Sequence, residues 1–178
     1  MENVRIIASA RNEEELKSAT ASKVDIIFML APNIETLKKQ ADLVHSAGKK
    51  IFIHIDLAEG IGKDEYGIRF AKEQGADGII STRSAMIKIA KKEGLFAVQR
   101  FFILDSQSVN TTEETAKSSK ADMIEIMPGT IYKVIEKLKK TLNVPIVAGG
   151  LIETAEEVKS AISAGAFAIS TGKREFWG

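Results

Sequence analysis

The stretch Lys50-Ile-Phe-Ile-His-Ile-Asp-Leu57 governs how the rest of the chain is read. Isoleucine recurs at 51, 53 and 55, with Phe52, His54 and Asp56 between. A period of two is that of a β-strand, whose successive side chains point to opposite faces. The all-isoleucine face must meet a layer of helices, so His54 and Asp56 are expected on the inner face, Asp56 nearer the end. Next comes Glu59-Gly-Ile-Gly-Lys-Asp64. It reads equally as a mobile flap or as an ordinary turn with Asp64 capping a helix over 64–74. Gly75 stands where a left-handed helix cap belongs, and a new β-branched run follows at 78.

The same strand–helix unit repeats outward in both directions. Strands are expected at 5–10, 25–30, 50–57, 78–82, 96–102, 123–127, 145–150 and 167–171. Helices are expected near 13–21, 33–47, 64–74, 83–93, 112–119, 130–141 and 154–164. Asn33 precedes an apolar stripe of Ile34, Leu37, Ala41 and Val44, and Thr154 with Glu157 makes a capping box. Strict β–α alternation means a parallel sheet with right-handed crossovers. Eight strands favour a closed (βα)8 TIM-type barrel, one domain over 1–178, with a flavodoxin-like open sheet as the alternative. The run at Ser22-Lys-Val-Asp aligns with Ser119-Lys-Ala-Asp, and Gly75-Ala-Asp-Gly with Gly165-Ala-Phe-Ala. These pair strand 2 with 6 and strand 4 with 8, as two fused halves would, although such connectors are also common in their own right. The sequence ends soon after strand 8, so the last helix is expected to be missing or reduced to a turn. Phe176 and Trp177 then cover the gap or pack on a second subunit.

Composition excludes several classes of function. There is no Cys, and His45 and His54 are the only histidines, so disulfide, thiolate and His-rich metal chemistry are not expected. With 25 basic and 24 acidic residues, net charge gives no general field for polyanions. No apolar run approaches the roughly 20 residues that cross a bilayer, and no leader pattern opens the chain. A soluble cytoplasmic protein with no metal and no cofactor is expected.

In a barrel the chemistry gathers at the C-terminal ends of the strands. Glu125 faces inward between Met123 and Met127; a buried carboxylate needs a cation such as Arg100 or a ligand. Alternation lets only one of Gln99 and Arg100 turn inward, and the sequence leaves that choice open. Ala148-Gly-Gly-Leu151 and Ser170-Thr-Gly-Lys173 end strands 7 and 8, where barrels often seat phosphate on glycine turns. Gly149, Gly150, Ser170, Thr171 and Gly172 are the expected phosphate-binding residues. Asp56, Glu125 and Arg100 are expected at the hydroxyls of a phosphorylated polyol, and His54 is either a ligand-binding residue or a core histidine. No Walker P-loop and no nucleophile elbow occurs. Lysines cluster at 38/39, 49/50, 88/91/92, 133/137 and 139/140, mostly at helix C-termini, which the helix dipole favours.

Five blocks, in order, resemble the glycerol-3-phosphate-responsive antiterminators of glycerol operons. They are His54-Ile-Asp-Leu-Ala-Glu-Gly-Ile-Gly, Gly78-Ile-Ile-Ser-Thr-Arg-Ser, Gln99-Arg-Phe-Phe-Ile-Leu-Asp-Ser, Glu125-Ile-Met-Pro-Gly and Ala148-Gly-Gly-Leu-Ile. The resemblance runs from about residue 5 to Trp177. It implies a bacterial regulator that binds glycerol 3-phosphate and then the leader mRNA of glycerol-utilisation operons. It also implies that Asp56, Glu59, Arg83, Gln99, Arg100, Asp105 and Glu125, which stand inside the blocks, line the ligand region with Gly149 and Gly150. Two other readings stay open. One is an enzyme on a phosphosugar or phospho-polyol with His54, Asp56 or Glu125 as acid/base; the other is a ligand sensor that acts through a protein partner.

Overall fold

Among the described residues, runs rich in Ile, Val, Phe and Ala form eight strands, and the amphipathic stretches between them form seven helices. The computed structural model describes residues 4–178. The first half runs β1 (Ile6–Ala10), α1 (Glu13–Thr20), β2 (Ile26–Met29), α2 (Leu37–Ser46), β3 (Lys50–His54), α3 (Glu65–Glu73), β4 (Gly78–Ser81) and α4 (Ser84–Lys92). The second runs β5 (Phe96–Phe102), α5 (Ser106–Ser119), β6 (Met123–Met127), α6 (Tyr132–Thr141), β7 (Ile146–Gly149), α7 (Ala155–Ser163) and β8 (Ala168–Thr171). All neighbours pair in parallel, and β8 pairs back onto β1 (Ile7↔Ser170), which closes the barrel and rules out the open sheet.

One side chain from each strand fills the interior: Ile7, Phe28, Phe52, Ile80, Val98, Met123, Val147 and Ala168. They plug the barrel so that no channel crosses it, and whatever binds must sit above them. The alternate positions face the helices and form two outer clusters. One is drawn mainly from the first half of the chain, the other mainly from the second. Helix starts are chemically marked. Asn12 and Asp64 accept from the N–H groups of Glu15 and Gly67, while Asp105 and Thr154 form full capping boxes.

Several expected boundaries move. β3 ends at His54, and Ile55–Leu57 is a 3-10 turn rather than three more strand residues. Asp56 explains the change, since its carboxylate is drawn sideways to the end of β4. Helix α2 starts at Leu37 without a side-chain cap. Asn33 instead accepts from Glu35 N–H and donates to the Glu59 carboxylate. Helix α5 starts at Ser106, six residues earlier than expected, because Asp105 and Ser108 cap a Ser/Thr/Asn-rich first turn with little apolar periodicity. The loop after β3 is pinned. Ile61 is buried, the Lys63 ammonium donates to the Ala58 and Ile61 carbonyls, and Asp64 caps α3. Asp64 thus caps α3 as the turn reading expects.

After β8, a 3-10 turn (Arg174–Phe176) and Trp177 fold back over the outside of the barrel. Trp177 is 2% exposed and its indole N–H donates to the Thr171 carbonyl at 2.9 Å. Phe176 and Trp177 are thus spent within the chain, which removes the reason for reading them as a contact with a second subunit.

Candidate functional site

The register of β5 against β6 settles the open choice. Arg100 pairs with Glu125 on the inward face, and Gln99 pairs with Ile124 on the outward one. Gln99 lies outside the barrel wall, where its amide N–H donates to Ser84 Oγ at 2.9 Å and its carbonyl oxygen is buried without a partner. Arg100 is only 6% exposed, and its Nε–H donates to Glu125 at 2.5 Å. The other Glu125 oxygen accepts from Ser170 Oγ at 2.5 Å. A buried ion pair persists only when its geometry is good and its remaining atoms are satisfied, and Ser170 provides that here.

Gly149 makes this contact set fit. A Cβ there would stand 2.6 Å from Glu125 Oε1 and would collide with Ser170 Oγ. Glycine at this position therefore makes room for the carboxylate, which differs from the expected role of a backbone donor to phosphate. Gly150 next to it takes φ +73°, and Leu151 follows at φ 58°, so the chain turns sharply away from the mouth. Thr171 ties this turn to the one after β8: its hydroxyl donates to the Ile152 carbonyl and accepts from Lys173 N–H. The two bends are neighbours.

Between them opens a cavity of about 430 Å³, within the range of small-molecule sites. Its wall includes Arg100, Glu125, Gly150, Ser170, Thr171 and Gly172, together with Ser9, Arg11, Leu30 and Lys173, which alternation along single strands does not mark. A signal for them existed. Arg11 follows the end of β1 and Lys173 lies just past β8, two strands that closure makes adjacent. Arg11 reaches across to Gly172, where a Cβ would lie 3.1 Å from its guanidinium. Of the five N–H donors of Arg100, only Nε–H is engaged with a described residue. Arg100 itself is part of the cavity wall.

The other expected ligand residues are placed elsewhere or otherwise occupied. Asp56 accepts from Ser81 Oγ, Thr82 N–H, Thr82 Oγ1 and Arg83 Nε. Burial alone would raise its carboxyl, but the bonds from Ser81 and Thr82 outweigh that cost and hold it below the usual range. Its work is to join the end of β3 to the loop after β4. Arg83 is its partner, Glu59 binds Asn33, and Asp105 caps α5. His54 is 3% exposed and faces inward at the top of β3; its Nδ1 is buried without a partner. Burial first, and then the positive charge of Arg100, push its pKa down to about 4, so the imidazole is neutral.

A larger hollow, about 730 Å³, lies at the N-terminal ends of the strands beside Trp177. Its charged rim is Arg5, stacked on Phe167, with Lys23, Asp25 and Glu175. It lacks a buried donor set like that of the mouth. No group of three or more His, Asp or Glu side chains among the described residues is arranged to hold a metal. No described helix is long and apolar enough to cross a membrane. The lysine clusters are partly neutralised by Lys38–Asp42, Lys91–Asp122, Lys92–Glu65 and Lys140–Glu136 pairs.

Known proteins place this barrel closely. The structure of the glycerol uptake operon antiterminator regulatory protein from Listeria monocytogenes str. 4b F2365 superposes with a TM-score of 0.92 at 35% identity, over 98% of this chain and 95% of that one. A glycerol uptake operon antiterminator-related protein from Thermotoga maritima MSB8 gives 0.88 at 34% identity, over 98% of both chains. The Escherichia coli (strain K12) protein YgcP, described as uncharacterized, is 38% identical over 173 residues, 97% of this chain and 91% of that protein. Aldolase barrels at 13–17% identity share the fold alone. A family model described as glycerol-3-phosphate responsive antiterminator matches residues 6–177. The chain belongs to the glycerol-3-phosphate responsive antiterminator family.

Proposed function

We propose that the mouth cavity binds glycerol 3-phosphate or a close phosphorylated polyol, and that the liganded protein acts on the leader mRNA of glycerol-utilisation operons. The observation that carries the first half is Arg100, a buried guanidinium in the cavity wall with one edge held by Glu125 and the other left to a ligand. A planar fork of donors in a partly dry site suits a phosphate dianion. Arg11 and Lys173 at the rim add charge, and the turns at Gly150 and Gly172 let backbone approach. The leader mRNA is inferred from the family alone.

The catalytic alternative has less to work with. Glu125 and Asp56 have both oxygens engaged, and an imidazole with a pKa near 4 is a weak base at neutral pH. Thermal unfolding tests the ligand: at a hundredfold over Kd, glycerol 3-phosphate should raise Tm by roughly 5–10 °C, and glycerol alone should not. Equal or absent shifts with both count against the cavity. Gel-shift with the operon leader at physiological salt, with and without ligand, tests the second half. A ligand-bound protein that never retards the RNA points instead to a protein partner.

A further inference from the structure

The inward polar side chains of the mouth divide into those already engaged and those that are not. Glu125 has both oxygens taken, Ser170 gives its proton to Glu125, and Arg100 has spent one edge. Ser9 remains in the cavity wall, and His54 remains on the inward face of β3, outside the residues that line the cavity. Ser9 lines the cavity, and its hydroxyl bonds to no described residue. His54 stands one step past the Met29–Ile53 pair, level with Leu30 of the cavity wall, and its Nδ1 is buried with no hydrogen-bond partner. A buried polar group left unpartnered is costly, and sites built to bind hydroxyls carry such groups in the ligand-free form.

We propose that Ser9 and His54 bind the hydroxyl-bearing end of the ligand, and so make the mouth select a polyol phosphate over inorganic phosphate. This rests on the phosphate seat at Arg100. A phosphate there leaves a three-carbon chain to run toward β1 and β3, where these two residues sit. A neutral imidazole suits that end of the ligand, because it offers one donor and one acceptor to alcohol groups and adds no further cation beside Arg100.

Calorimetric titration of glycerol 3-phosphate and of inorganic phosphate into the wild type, Ser9→Ala and His54→Leu tests it. Each substitution should weaken glycerol 3-phosphate by about tenfold or more and leave phosphate within about twofold. Equal weakening of both ligands, or of neither, overturns the assignment. If the wild type binds neither ligand, the Arg100 seat falls and this inference with it; if it binds both and the variants do not discriminate, only the inference falls. A second readout needs no variant. With two histidines in the chain, the His54 ring-nitrogen resonances can be followed apart from those of His45. They should move further with glycerol 3-phosphate than with saturating phosphate, and identical movement contradicts the contact.

Discussion

A methyl group on residue 149 would press on Ser170 Oγ and stand 2.6 Å from Glu125 Oε1. Gly149→Ala is therefore expected to cost about 1–3 kcal/mol through overpacking and to weaken ligand binding by displacing Glu125 from Arg100. Urea unfolding and calorimetry read both. Glu125→Ala leaves a buried guanidinium unpaired and should cost about 3–5 kcal/mol, whereas the double change Arg100→Met with Glu125→Leu should be much milder for stability and still abolish binding. Wild-type-like stability of Glu125→Ala would contradict the pairing. His54 makes a separate, pH-dependent prediction. Its ordinary pKa is 6.5, and in the fold it is about 4. As pH falls below 6.5 the unfolded chain takes up a proton that the native chain refuses until about 4, so stability is full above this window and drops within it. The loss should be about 2 kcal/mol at pH 5, and His54→Leu should flatten that slope. An unchanged slope in the variant would mean another group sets it. The sequence allowed Glu125 to find a cation or a ligand, yet alternation along β5 could not say whether Gln99 or Arg100 turned inward. Only pairing with β6, a contact 25 residues away, decides that.

At the scale of elements, the C-terminal segment does a helix's work with little regular structure. Trp177 packs into the cluster of the first half of the chain and Phe176 into that of the second, so the segment joins both outer layers beside β8 and β1. Trp177→Ala removes that wedge and its bond to the Thr171 carbonyl, and should cost about 3–5 kcal/mol with an unchanged denaturant slope. A loss under 1 kcal/mol would show the segment to be a passive cover. Strands and most helices were legible because their apolar spacing is strong. The starts of α2 and α5 and the end of β3 were not, because each is set by a side-chain bond: Asn33 to Glu59, Asp105 to Ser108, and Asp56 to the loop after β4. Local spacing carries no sign of whether such a group caps a helix or reaches a neighbouring loop.

For the whole molecule, closure does what no single strand can. It sets β8 against β1, so that Arg11 and Lys173 share a rim although 162 residues separate them in sequence. The two glycine turns were legible in the sequence, and the structure sets them side by side. The buried guanidinium beneath them was not legible, since its direction depends on register. The account turns on where an anion sits in this barrel, and a crystal structure with glycerol 3-phosphate measures that directly. The phosphate should lie within hydrogen-bonding distance of the free edge of Arg100, with Glu125 still on its Nε. A phosphate held only by loop backbone, or bound at the opposite end beside Trp177 with Arg100 untouched, would contradict it.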